Sequence, residues 1–426
     1  MKIKAIILIL PFLTSQVHAY PDIVQIKDNQ DYLLIQSDFL PIIDLKLSFS
    51  HGSINDGPDK GITSFSLNLL HQQLINDKKA ISLFEQIGAE YNSNVGKESS
   101  EITLRFISSQ KNLEFVANKL NLLLRGSAVT EEIISDNKEK VINIIKRRNI
   151  DPGRLIQNTG NEIYFKDTPY SHPTIGYIDN VLKYDIEKIT KTLEKIRNSK
   201  KSFSLVGDIN ENSSAYLISK ILNGINLNQE TKHAFIFEQN SRSKKKSVVF
   251  DSSQTHINYY IPAVTRTDED YYNLLVVNHI FGGGGFGSRL MTEIREKRGL
   301  AYSVYSYLLP YEKFGLMKIG LQTDNKNVLN ALKVINNELE KIKNLNISNE
   351  EISSSKKSLI KSVSSRIDTN KNMLDTLAAI NSYDLQDDYF RNYIRGIQSV
   401  TKKSIDKTIS KKLAIDQHFI ITLGGK

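Results

Sequence analysis

The chain has 426 residues, a formal net charge of +9, 40% hydrophobic and 24% charged residues, and no cysteine. That composition excludes a disordered chain or a polytopic membrane protein, and the missing cysteine excludes disulfides, thiolate metal sites and a cysteine nucleophile together. At roughly 150 residues per domain the length predicts two or three units, enough chain to fold on core burial alone.

Met1-Lys2-Ile3-Lys4 is basic, Ala5 to Leu13 is apolar, and Val17-His18-Ala19 places small residues before Tyr20. This pattern predicts a signal peptide over 1–19, too short to span a bilayer, and hence an exported, periplasmic or extracellular protein with no stable membrane anchor after cleavage. Loss of Lys2 and Lys4 would take the charge from +9 to +7. The remaining basic residues are spread along the chain without an aromatic-interleaved stripe, so nucleic acid is not an expected partner.

Val24 to Ile26, Tyr32 to Gln36 and Pro41 to Phe49 read as strands, Gly61 to Gln72 as a helix, Ile102 to Phe106 as a strand, and Asn112 to Leu124 and Glu131 to Arg148 as helices. The mixture predicts an α+β fold with mostly antiparallel sheets covered by helices. The helix opening Thr130-Glu131-Glu132-Ile133 recurs 219 residues on as Asn349-Glu350-Glu351-Ile352 with similar apolar spacing. Phe203 to Gly207 likewise has an echo in Phe419 to Gly424. Duplication is the economical reading: two homologous lobes, 20–227 and 248–426, joined by a polar linker over 228–247 that includes the basic run from Ser241 to Lys246.

The most distinctive stretch runs from Phe281 to Val304. Gly282, Gly284 and Gly287 satisfy a dinucleotide fingerprint, but Thr267-Asp268-Glu269-Asp270 reads as a capping box, so the run follows a helix where that motif needs a strand. The glycines are expected to end that helix and form a mobile loop. A second helix follows from about Ser288 to Arg298, stopped by Gly299, and a strand begins at Leu300.

This stretch resembles the second-half signature of the pitrilysin/insulinase-type zinc peptidases, in the branch that holds mitochondrial processing peptidase. The resemblance implies that Arg295 and Tyr302 reach toward a zinc site in an opposite lobe, where a guanidinium and a phenol would stabilise charge growing on a peptide oxygen. It also implies substrate contacts at Asn92, on an edge strand within Gly88 to Ser93, and at Gly283, Gly284 and Gly285. His172-Pro173 resembles a loop of the active members. The family's inverted motif H-x-x-E-H should begin three residues after Gly61, yet Ser64, Leu67 and Asn68 stand there, and the distal glutamate falls at Lys146, or at Ile145 if the register slips by one. Both imidazoles and the general-base carboxylate are missing, none of the four positions retains its chemistry, and a lysine would oppose a divalent ion. The implied function is an exported, non-zinc-binding subunit that forms a heterodimer with a zinc-bearing homologue, and the zinc and peptide hydrolysis belong to that partner. The alternative is an inert scaffold or a peptide-binding subunit of the same fold.

Overall fold

A computed structural model describes residues 20–27, 31–126, 129–225, 244–385 and 388–425. The signal-peptide reading and most of the linker lie outside the described residues. Thirteen strands occur in the described chain: β1 (Val24–Ile26), β2 (Tyr32–Gln36), β3 (Ile42–Phe49), the small hairpin β4 (Leu74–Ile75) and β5 (Lys78–Lys79), β6 (Glu90–Val95), β7 (Ser100–Ile107), β8 (Lys201–Gly207), β9 (Lys244–Val248), β10 (Gln254–Ala263), β11 (Val304–Pro310), β12 (Gly315–Asp324) and β13 (Phe419–Leu423).

The first sheet has the order β1-β2-β8-β3-β7-β6 and the second β11-β12-β10-β13-β9. Read from opposite ends they match strand for strand after β1: β2 with β9, β8 with β13, β3 with β10, β7 with β12 and β6 with β11. In both sheets the pair nearest the start of the half, β2 with β8 and β9 with β13, is parallel, while the others are antiparallel. The last residues given to the linker are therefore a strand. Lys244-Lys245-Lys246-Ser247-Val248 forms an edge of the second sheet, and its lysine-rich sequence is the composition that protects an edge from further pairing while hiding it from a hydrophobic pattern.

The halves do not keep their helices to themselves. Asp151 accepts from the Arg154 N–H at 2.7 Å and Pro152 occupies the first turn of the helix Pro152–Tyr164. That helix belongs to the first half by sequence but packs on β10 and β13 of the second sheet, where Ile156 and Tyr164 join Tyr260, Phe419 and Ile421 in one apolar cluster. The helix Asn370–Ser382 makes the converse move onto β8, β3 and β2 of the first sheet. Its Leu374 and Leu377 share a core with Leu33, Ile35 and Val206, and its Asn381 amide donates to the Phe203 carbonyl at 2.9 Å. The Lys46 ammonium on β3 meets Asp375 on the same helix at 2.7 Å.

Candidate functional site

The helix Ile62–Leu69 carries the positions of the inverted motif. It starts at Gly61, whose φ of +94° and close approach to the Ile175 carbonyl and Gly176 leave no room for a side chain. Glycine has no side-chain cap to offer, so the cap comes from elsewhere: the buried Asp56 carboxylate accepts from the Gly61 N–H at 2.7 Å and the Thr63 N–H at 3.0 Å. Burial pushes Asp56 up to about 6, against the opposing pull of those hydrogen bonds. His172 lies beside it, with Nε2 3.0 Å from the Ser53 carbonyl and 3.8 Å from Asp56, and Nδ1 2.9 Å from the Pro173 carbonyl. Burial holds this imidazole down to about 4, and the Lys97 ammonium, itself lowered to about 8 by burial, donates to the His172 carbonyl. These groups fasten the loops 51–61 and 170–176 to the start of the helix.

Along the helix, Leu67 is 0% exposed and belongs to the core of the first half, whereas Ser64 and Asn68 are half-buried. Asn68 Oδ1 accepts from Ser93 on β6 at 3.2 Å. Of the two candidates for the distal position, both on the helix Glu131–Ile150, Ile145 is 4% exposed and packs into the same core as Leu67, while Lys146 lies on the exposed side. Neither offers a carboxylate, and the Lys146 ammonium points away from that core. A cavity of about 390 Å3 adjoins Ile145, lined also by Arg148, Leu155, Glu162, Ile175 and Tyr177. Among the described residues no group of three or more histidine, cysteine, aspartate or glutamate side chains could hold a metal ion. Asn92 is exposed on β6, the outer strand of the first sheet, as an edge that could receive an extended peptide requires.

The second-half region is built differently. The helix Tyr271–Asn278 continues into a wide turn, His279–Gly283. Its cap residue is Asp270, whose carboxylate accepts from the Asn273 amide, the Thr408 hydroxyl and the Lys412 ammonium and from no backbone N–H of the helix; the expected capping box does not form. Added side chains at Gly282, Gly283 and Gly284 would come within 2.7 Å of Ser306, Asn278 and His279, so these glycines let the helix end close onto β11. Gly285, at φ +61°, and Gly287 have open space around them, and Phe286 between them is 65% exposed. The chain is helical again over 289–296, with wide geometry from Met291 to Glu296. Gly299 ends it at φ +57°, as its C-cap position predicts, and the next strand starts at Val304 rather than Leu300.

Arg295 sits in this wide turn with its guanidinium carbon 4.8 Å from the Phe286 ring centre and 4.3 Å from that of Tyr302. Tyr302 is 82% exposed. The structure thus brings Arg295 and Tyr302 together. Their ring contacts are with one another and with Phe286, and they belong to the second half of the chain, whereas Ser64, Leu67 and Asn68 lie on a helix of the first. Sequence reasoning missed Phe286, although a lone aromatic flanked by glycines was a readable signal. Asp56 left no such signal, because its capping role depends on a loop turning back on itself.

Residues 196–359 match the family model described as the peptidase M16 inactive domain. The Helicobacter pylori protein named "Non-peptidase homolog YmxG" is 23% identical over 390 residues, covering 89% of this chain and 88% of that one. A solved peptidase M16 inactive domain from Pseudomonas fluorescens superposes with a TM-score of 0.87 at 22% identity, over 96% of this chain and 98% of that one. The first half of the periplasmic protease PqqL from Escherichia coli gives a TM-score of 0.78 at 14% identity, over 96% and 93% of the two chains, and the match spans 48% of the whole PqqL chain. Residues 196–359 thus carry the pattern of the peptidase M16 inactive domain, the fold is similar to that of solved M16 proteins along nearly the whole chain, and Ser64, Leu67 and Asn68 stand where the resemblance to the zinc peptidases puts two imidazoles and a general-base carboxylate.

Proposed function

We propose that this protein is exported and serves as the non-zinc subunit of a two-chain peptidase, lending Arg295 and Tyr302 to the site of a zinc-bearing homologous partner that cleaves peptides. The observation that carries this reading is the contrast between the two regions. The motif helix buries Leu67 in the core that also holds Ile145, while Arg295 and Tyr302 stand together at an exposed surface. A guanidinium and a phenol hydroxyl are donors suited to a developing oxyanion, and such donors act best when preorganised. The match to half of PqqL supports a chain that needs a second one of similar size to make up the whole. Export rests on the pattern of residues 1–19.

The test is hydrolysis of a mixed quenched-peptide library by the mature chain, by a zinc-bearing homologue from the same genome, and by the co-expressed pair, with and without Tyr302→Phe. Activity confined to the pair and reduced by the substitution supports a shared site. A pair that forms but does not respond to loss of the hydroxyl makes the protein a scaffold, and chelator-sensitive activity from this chain alone overturns the reading altogether.

A further inference from the structure

The geometry points to Phe286 as a positioning residue that, with Tyr302, holds the Arg295 guanidinium ready for an oxygen of a bound peptide; this inference rests on the paired-subunit reading. Arg295 is half-buried, and among the described residues no carboxylate or carbonyl accepts from its N–H groups, although Arg105, Arg289 and Arg298 all have such partners. Its two contacts are aromatic, and the two rings flank the guanidinium without being in ring contact with each other. Rings attract a guanidinium through their faces and leave the in-plane N–H donors unused. A cation held this way loses little further side-chain freedom when an acceptor arrives, which is the physical content of preorganisation.

Phe286 itself has no apolar reason to be where it is. It is 65% exposed at the tip of a short turn between Gly285 and Gly287, which have open space around them, while the three preceding glycines are packed against Asn278, His279 and Ser306. The base of the loop is thus fixed and its tip free to bring the ring onto Arg295. The ligand recognised by such an arrangement is an oxygen carrying partial or full negative charge, supplied by a backbone carbonyl of an extended peptide or by a free C-terminal carboxylate.

The experiment uses the full mature chain assembled with the zinc-bearing homologue, a mixed quenched-peptide library made with free and with amidated C-termini, and the variants Phe286→Ala, Phe286→Tyr, Arg295→Ala and the double variant Phe286→Ala/Arg295→Ala. Assembly is followed by light scattering. Phe286→Ala is expected to lower kcat/KM about tenfold, the scale of one partly desolvated cation–π contact. Phe286→Tyr should restore it, and the alanine change should cost nothing further when Arg295 is already alanine, because Phe286 acts through that side chain. A purely structural Phe286 would give additive losses instead, and that result overturns the inference. If Arg295→Ala lowers turnover and Phe286→Ala does not, the positioning role fails while the paired-subunit reading stands. If Arg295→Ala leaves turnover unchanged, both fail. Equal effects on the two libraries assign the oxygen to the backbone, and an effect confined to free C-termini assigns it to the carboxylate.

Discussion

The helix Ile62–Leu69 and the Phe281–Val304 region lie in matching halves, one between β3 and β6 and the other between β10 and β11, yet they differ in opposite directions. In the first, the position where the motif's general-base carboxylate would stand holds Leu67, wholly buried, and Ile145, one of the two candidates for the distal position, packs into the same core. In the second, a guanidinium, a phenol and an extra aromatic ring stay at the surface, and Tyr302 and Phe286 bury little in doing so. Once metal ligands are gone, the polar groups that served them become a cost in a closed interior, and apolar replacements stabilise the fold. No such pressure acts on donors that already face water.

The largest effect should come from trying to reverse the first course. Leu67→Glu puts a carboxylate in an apolar core with no cation beside it, and a loss of about 3–5 kcal/mol in urea unfolding is expected, as for other unpaired buried charges. Adding Ser64→His and Asn68→His should not produce a tight zinc site while neither Ile145 nor Lys146 supplies a carboxylate. Stoichiometric zinc in that triple variant, measured by mass spectrometry, would break the comparison.

Next comes the loop cluster that fastens the helix. Asp56 is raised from 3.8 to about 6, so its contribution to stability is full below pH 3.8 and is lost as pH rises through about 6. His172 is lowered from 6.5 to about 4, so its contribution is full above pH 6.5 and is lost as pH falls toward 4. The two slopes oppose each other over the same window, with the Lys60 and Lys97 charges facing both groups, and the unmodified protein should show little pH dependence there. Asp56→Asn should uncover a stability that climbs from pH 4 to 6.5, and His172→Gln one that falls. Each change should amount to roughly 2–3 kcal/mol, since a tenfold difference in proton affinity between the folded and unfolded chain is worth about 1.4 kcal/mol. Denaturant midpoints across pH 4–7 would show it, and parallel slopes in the two variants would contradict the assignment.

A smaller change tests the scaffold of the second region. Gly282→Val must displace Ser306, which an added Cβ would approach to 2.6 Å, and should destabilise by about 1–3 kcal/mol. Gly287→Ala, with open space around it, should be nearly neutral in the same thermal unfolding experiment. The smallest stability effects belong to the exposed rings: Tyr302→Phe and Phe286→Ala should each stay within about 0.5 kcal/mol of the parent, so that any loss of paired turnover reports on function and not on folding.

Much of the architecture was legible along the chain. Strands such as Ile42–Phe49 and Ser100–Ile107 alternate or run apolar, and the helix Glu131–Ile150 announces itself through Thr130 and its apolar spacing. Duplication could be read from echoes at near-constant separation, and the loss of ligands from three residues after Gly61. These are local properties, carried by residue type and spacing. The positions of the helices Pro152–Tyr164 and Asn370–Ser382, each resting on the sheet of the other half, were not legible, because an amphipathic stripe states that a face will be buried and not which sheet will bury it. The edge strand Lys244–Val248 is invisible for a related reason: its pairing with β13 supplies main-chain hydrogen bonds that no side chain records. Ile145 turned inward and Lys146 outward, Asp56 as a remote cap and Phe286 against Arg295 were likewise decided only in three dimensions, where a rotation of one residue or the return of a loop determines which group meets which.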